Sequence, residues 1–312
     1  MKKKIIFLLS VLSGFFLHPA NAENTLAAIA PSVKQAATIP QRGTLYRVSH
    51  HGNTTYLFGT IHVGKPAFYP LDSQVTRALT DASKLVLEID IRDNETLHQA
   101  LKKHGLYAAG DSIDRHISSD ALLLLRQALD QFGIPFENIR HMKPWLVTNM
   151  LIALDLERHG YGRNDGIEYF LLSLAKEHTK TVQELESAEY QLSLYDGMTE
   201  GDQEQYLREN LAEIIDGKAL KKAQALIDAW ASADGKAFED LLQESINEKT
   251  VSSEFTRRVL LDKRNPEMAN KIEALLKNDR TTFVGVGLLH LIGETGVPTL
   301  LRQRGYQVEK LY

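Results

Sequence analysis

The sequence predicts an α/β (α+β) protein: a mixed sheet built from both ends of the chain by two strand–GxxH–helix–strand units, with a large helical insertion between them. Three observations carry this. The pattern Gly59-Thr60-Ile61-His62 returns more than two hundred residues later as Gly287-Leu288-Leu289-His290. Each copy closes a run that opens Thr-Thr-aromatic, Thr54-Thr55-Tyr56-Leu57-Phe58 and Thr281-Thr282-Phe283-Val284-Gly285-Val286, β-branched and aromatic enough to be buried strands. From about residue 95 to 277 the apolar spacing is helical, broken by one short strand-like run.

In chain order, Met1-Lys2-Lys3-Lys4 is a basic segment, Ile5 to Leu17 an apolar stretch too short to span a bilayer comfortably, and Ala20-Asn21-Ala22 a small-x-small cleavage site. Residues 1–22 therefore read as a secretory signal peptide cut before Glu23. The mature protein is then expected in the periplasm or outside the cell, with no membrane anchor after cleavage. Residues 23–44, Ala-rich with scattered Pro, read as a flexible arm. The domain proper runs over 45–312.

Leu45 to Ser49 and the first motif strand flank His50-His51-Gly52-Asn53, a hairpin turn. Its adjacent histidines point apart in an extended turn and read as solvated. The motif glycine lets the backbone turn as the strand ends, leaving His62 at the mouth of the turn. Asp72 N-caps a helix with Val75, Leu79 and Ala82 inward. Leu85 to Ile91 reads as a strand whose alternation sets Glu88 and Asp90 on one face with Val86. A buried carboxylate there requires a partner. Ser119-Asp120 opens a helix that stops at Gly133, Pro144-Trp145 opens another, and Gly166-Ile167 a third. Thr181 to Glu186 is the single strand of the middle, and Ser252-Ser253 caps a helix over Glu254 to Leu261.

Composition narrows the chemistry. There is no cysteine, which suits an oxidising compartment and removes thiolate metal sites and cysteine nucleophiles. Losing the three lysines of residues 1–22 takes the formal charge from −4 to −7. With no basic block, nucleic acid is not an expected partner. H-E-x-x-H, G-x-S-x-G and the P-loop pattern are all missing. Gly285-Val286-Gly287 imitates a dinucleotide fingerprint, but its third glycine is His290, and Gly293, Gly296 and Pro298 delay the helix that would receive a pyrophosphate.

Matched units side by side in one sheet bring His62 and His290 to the same edge, within roughly 10 Å if they share one metal site. Glu88 belongs to the same unit as His62. Two His and a Glu match the ligand set of catalytic metal sites that leave a position open for water. Glu168 and Glu186 are further candidate bases, and Arg264-Asn265 a candidate oxyanion-stabilising pair.

At these residues the chain resembles the TraB/GumN family. The match lies in Leu45-Tyr46-Arg47-Val48, Tyr56 to Val63, Leu87-Glu88, Lys143-Pro144-Trp145, Arg264-Asn265, Val286 to Leu291, and Gly293, Gly296, Leu300, Leu301, Gly305-Tyr306 and Val308. The family is related to the Tiki proteases, described as membrane-anchored, metal-dependent peptidases. The resemblance implies a site at His62, Glu88 and His290, with Arg264 or Asn265 assisting, a divalent metal (Mn, Co or Zn), and hydrolysis of a peptide or small-molecule substrate. A remoter haem-binding relative implies the alternative, a non-catalytic metal- or haem-binding protein that uses the same His pair.

Overall fold

The computed structural model describes residues 39–312. The expected signal peptide, and all of the expected arm before residue 39, lie outside the described residues. Residues 43 and 44, at the end of the expected arm, are held against the fold. Gly43 N–H donates to Trp230 O at 2.7 Å, and the buried Thr44 donates its hydroxyl to Tyr312 O at 2.8 Å.

Six strands form one sheet. They are β1 (Leu45–His50), β2 (Asn53–Thr60), β3 (Lys84–Leu87), β4 (Thr181–Glu184), β5 (Thr281–Gly287) and β6 (Gln307–Lys310), arranged β4-β3-β5-β2-β1-β6. Pairing is parallel from β4 through β3 and β5 to β2, whereas β1 runs antiparallel to both β2 and β6. The first hairpin turns on His51 and Gly52, at φ 47° and 85°. Two positive φ values in a two-residue loop give the turn whose twist suits paired strands. Between β2 and β5 the sequence repeat is a structural one: Thr54 pairs with Thr281, Thr55 with Thr282 and Tyr56 with Phe283. The Thr55 and Thr282 hydroxyls meet at 3.3 Å across the buried pair.

Helices cover both faces. They are α1 (Ser73–Asp81), α2 (Asn94–His104), α3 (Ser119–Phe132), α4 (Pro144–Arg158), α5 (Ile167–Glu177), α6 (Ala188–Asp196), α7 (Glu200–Ile215), α8 (Lys218–Ala231), α9 (Gly235–Ile246), α10 (Val251–Phe255), α11 (Arg264–Asn278) and α12 (Val297–Gln303). Alternation along the central strands sorts their side chains. Phe58, Leu85, Leu87 and Phe283 enter the core that includes Val75 of α1, Leu171 of α5 and Ile227 of α8. Leu57, Val86 and Val284 enter the opposite core, with Ile272 of α11 and Leu301 of α12. Being buried on both sides, residues 57–58, 85–87 and 283–286 are apolar, whereas the edge strand β4 is polar and mostly exposed. The rest of the insertion builds two further cores, around Trp145 with Tyr195, and around Leu129 with Leu207.

Three local expectations change. The strand expected over Leu85 to Ile91 ends at Leu87, so Asp90 does not share a strand face with Glu88; it turns outward to Arg92 at 2.6 Å. The helix expected from Ser252-Ser253 is capped earlier, by Thr250, with Ser253 returning the capping bond. That helix then widens into a π-helix over Thr256–Lys263 and runs directly into α11. Pro266, the third residue of α11, has no N–H and crowds the carbonyl four residues back, which disfavours ordinary α pairing at this junction.

Candidate functional site

β3, β5 and β2 are adjacent and parallel, so their carboxyl ends open on one crevice, the usual binding edge of such sheets. Glu88 follows the last residue of β3 and His62 lies two residues beyond β2. His290 sits in the 3-10 turn Leu288–Leu291 after β5. Gly287 ends β5 and leads into the 3-10 turn as expected, but Gly59 does not turn the chain, since β2 continues through it to Thr60. Both glycines permit close approach. A Cβ on Gly59 would stand 3.0 Å from Leu288 Cδ1, in the other motif. One on Gly287 would stand 3.1 Å from Glu88 Oε1, 3.6 Å from His290 Cδ2 and 4.0 Å from His62 Nε2. All three side chains therefore surround one glycine, and the two rings lie well inside the roughly 10 Å expected of a shared site.

Glu88 is the hub of a buried ionic network. Its Oε2 accepts from Arg264 Nη2 at 2.6 Å and from Gln191 Nε2 at 3.2 Å, and its Oε1 from the Gly287 amide at 2.5 Å. Arg264, fully buried, also grips Glu186, with Nη2 at 2.6 Å and Nε at 3.1 Å from both carboxylate oxygens. Gln191 ties the two carboxylates together, reaching Glu186 Oε2 at 2.7 Å. Burial opposes ionisation of Glu88, yet Arg264, with the nearby histidines and the Gly287 amide, holds its pKa well below the usual carboxylate range. The same carboxylates outweigh burial at Arg264 and drive its pKa still higher. Arg264 Nη1 has no hydrogen-bond partner among the described residues.

Each histidine is held through Nδ1. His62 Nδ1 meets Glu168 Oε1 at 2.8 Å, and His290 Nδ1 meets Asn265 Oδ1 at 2.6 Å. Asn265 spends its amide N–H on Thr295 O at 2.8 Å, so its oxygen accepts and His290 Nδ1 donates. In a neutral ring that leaves the lone pair on Nε2, which stands 3.8 Å from Glu88 Oε1. For His62, burial disfavours the charged ring, but the carboxylates of Glu168 and Glu88 prevail and raise its pKa to about 9. For His290, burial and the Arg264 guanidinium lower it to about 3, against the pull of Glu88.

His62, Glu88 and His290 share the lining of a narrow cleft with room for little more than one water. Among the described residues no group of three or more His, Asp or Glu side chains is arranged to hold a metal ion. Both oxygens of Glu88 are already engaged, by Arg264 and Gly287. Nor is any helix among the described residues long and apolar enough to cross a membrane.

All seven candidate side chains reach this neighbourhood. Glu168 lies against His62, while Glu186 lies beneath Glu88 with both oxygens bound by Arg264. Arg264 and Asn265 hold Glu88 and His290 respectively. Gln191 escaped the sequence reading: a neutral residue in an amphipathic helix gives no signal until the two carboxylates it bridges are placed beside it.

The fold and cluster define a mixed α/β protein with a His–Glu–His constellation at the carboxyl edge of its sheet. The sequence profile of the TraB/PrgY/gumN family matches residues 44–310, and the chain belongs to that family. It is 26% identical to "Uncharacterized protein YbaP" of Shigella flexneri over 256 residues, covering 80% of this chain and 88% of that one. The Escherichia coli (strain K12) protein of the same name is 26% identical over 255 residues, 79% of this chain and 87% of its own. "Metalloprotease TIKI2" of Xenopus tropicalis is 24% identical over 326 residues, covering 85% of this chain but 59% of its own length. No solved structure matches the chain.

Proposed function

We propose that the protein is a metal-dependent hydrolase of peptidase type, acting in the periplasm or outside the cell on a peptide or small-molecule substrate. The observation that carries the reading is the Nδ1 anchoring of both histidines, which directs their Nε2 atoms toward Glu88 Oε1 around Gly287. Metal-ligating histidines are fixed in this way, by an oxygen on the far ring nitrogen. Two imidazoles and one carboxylate are donor types that a divalent ion such as Mn²⁺, Co²⁺ or Zn²⁺ takes, and holding one would require Glu88 to yield an oxygen now engaged by Arg264 or the Gly287 amide. His62, His290 and Glu88 would hold it, and when bound it supplies a Lewis acid and a water acidified to near neutral pH. The likeness to a protein named a metalloprotease supports the same reading.

The chain's own residues do the positioning. Arg264 keeps Glu88 ionised and immobile, while Glu186 holds the guanidinium from behind and Gln191 bridges the two carboxylates. Asn265 holds the His290 tautomer that leaves Nε2 unprotonated, and Glu168 sets the plane of the His62 ring. A protein that merely stores metal or haem needs ligands alone, whereas this site adds a buried guanidinium with one nitrogen still unpartnered. We favour turnover on that ground.

The test is cleavage of an unbiased peptide library by protein lacking residues 1–22, loaded with each metal and compared with chelator-treated protein. Glu88→Gln should abolish cleavage with little change in secondary structure. Metal affinity should fall with it if Glu88 is a ligand, and persist if Glu88 is the base. Tight metal or haem binding with no metal-dependent cleavage would establish a holder instead.

A further inference from the structure

A cavity of about 380 Å³ opens within the helical insertion, inside the range of roughly 300–1,000 Å³ that small-molecule sites occupy. It shares no lining residue with the cleft at the carboxyl edge of the sheet. The segment after α2, the start of α4, the end of α6 and the first turn of α7 meet there. The stretch Lys143-Pro144-Trp145, singled out in the sequence, has no part in the His–Glu–His cluster. Lys143 and Pro144 line this cavity instead. Glu200, mostly exposed, stands at its rim.

The charges around the cavity are already matched. Lys143 Nζ pairs with Asp196 Oδ1, and Asp196 Oδ2 meets His104 Nδ1 at 3.1 Å. His116 meets Asp111 at 2.8 Å through Nε2 and Glu200 at 3.2 Å through Nδ1. Burial opposes a charge on His116, but those two carboxylates outweigh it and raise the pKa. A ligand ion drawn to one member of such a pair is repelled by the other. Hydrogen bonding, by contrast, is left open. Gln203 lines the cavity, is 8% exposed, and donates its Nε2 to Met198 O at 3.3 Å. Its Oε1 has no hydrogen-bond partner among the described residues, and a buried acceptor in that state calls for a donor. Lys143 carries three N–H donors, and Asp196 is its one side-chain partner among the described residues. The rest of the wall is flat or apolar. Tyr107 has His116 stacked on it, ring centroids 4.2 Å apart, and Leu106, Pro144 and Met198 lie beside it.

We infer that this cavity binds a neutral mono- or disaccharide, with sugar hydroxyls on Gln203 Oε1 and the Lys143 ammonium and a C–H face of the ring against Tyr107. A hydroxyl both donates and accepts, so one kind of group answers the free acceptor and the free donors together. The sugar ring brings no charge to disturb the ion pairs, and its C–H face covers apolar wall that is otherwise wet. A wholly apolar ligand would leave Gln203 Oε1 unpaired. The inference does not depend on the hydrolase reading above.

Nuclear magnetic resonance of protein lacking residues 1–22, titrated with glucose, galactose, N-acetylglucosamine, maltose and cellobiose, tests this. At least one sugar should move the Tyr107 and Gln203 amide resonances saturably and leave Gly287 where it is. Gln203→Leu, which keeps the size and loses the acceptor, should weaken that sugar about tenfold, the scale of one hydrogen bond. Tyr107→Ala should weaken it as well, and because Tyr107 is partly exposed this variant keeps the test open if the buried one fails to fold. Circular dichroism checks both. Glycine, inorganic phosphate and N-acetylalaninamide stand for a zwitterion, an anion and a neutral amide. Saturable binding of any of these as tight as the best sugar overturns the inference, and so does the lack of a saturable shift with every sugar. Sugar affinity that neither folded variant lowers places the binding elsewhere and overturns it too.

Discussion

Thr54–Tyr56 of β2 and Thr281–Phe283 of β5 lie in register, yet the histidines that follow them live in opposite electrostatic surroundings. His62 is partly exposed and backed by a carboxylate, Glu168. His290 is buried, backed by the neutral amide of Asn265, and stands near Arg264. One ring is pulled toward the charged form and the other pushed to the neutral form, the first titrating near 9 and the second near 3. The repeated tetrapeptide fixes where the rings stand, while protonation is decided by partners drawn from α5 and α11. Sequence symmetry at a site is therefore no guide to chemical symmetry.

Removing the cation that separates the two environments should have the largest effect. Arg264→Ala leaves Glu88 and Glu186 buried without their counter-charge, and breaking a buried pair this way costs about 3–5 kcal/mol. Denaturant unfolding measures it. A loss under 1 kcal/mol would mean the guanidinium does not hold the cluster.

Exchanging the chemistry of the two partners should sharpen the contrast next. In the metal-free protein, Glu168→Gln should bring His62 down from about 9, and Asn265→Asp should bring His290 up from about 3, both read by nuclear magnetic resonance titration. The stability consequences have opposite signs. His62 is raised above its ordinary 6.5, so its contribution is complete below 6.5 and is lost as pH climbs through about 9. His290 is depressed, so its contribution is complete above 6.5 and is lost as pH falls toward 3. The depressed Glu88 adds to the acid loss. Glu168→Gln should flatten the alkaline limb of the stability curve and Asn265→Asp the acid limb. Limbs that do not respond would assign the pH dependence to other groups.

The smallest effect concerns what the two units share. Thr282→Val removes the hydroxyl that faces Thr55, a cross-strand contact worth about 0.2–1 kcal/mol. Both histidine titrations should stay where they are, because the strands place the rings without charging them.

Much of this arrangement was legible in the sequence for definite reasons. Paired GxxH patterns after matched strands announced a shared sheet edge, and Glu88 stood out as a charge within an apolar run. The family match confirms the resemblance carried by the motif residues. What stayed hidden depended on long-range partners. Asp90 carried the same charge as Glu88 two residues on, and only the end of β3 at Leu87 separates their surroundings. Arg264 was legible only as a candidate oxyanion donor, and its sequence neighbourhood gives no sign of its ion pairs with Glu88, 176 residues away, and Glu186. The π-helix left a single trace, Pro266 inside a helical run, which by itself forecasts a kink as readily as a wider turn.

The pairing of β2 with β5 also sets the order of assembly during synthesis. β2 leaves the ribosome with β1 as its only neighbour, since the strand on its other flank begins at Thr281. Leu57 then waits some two hundred residues for Ile272 of α11 and Val284 of β5, and Glu88 waits nearly as long for Arg264 and the Gly287 amide. A nascent chain stopped before Thr281 holds His62 without its counterpart and Glu88 without the backbone amide that anchors it. Contacts so distant along the chain form late and slowly. The His62–Glu88–His290 cluster is therefore complete only once His290 has been made, and until then the β5 edge of β2 is uncovered.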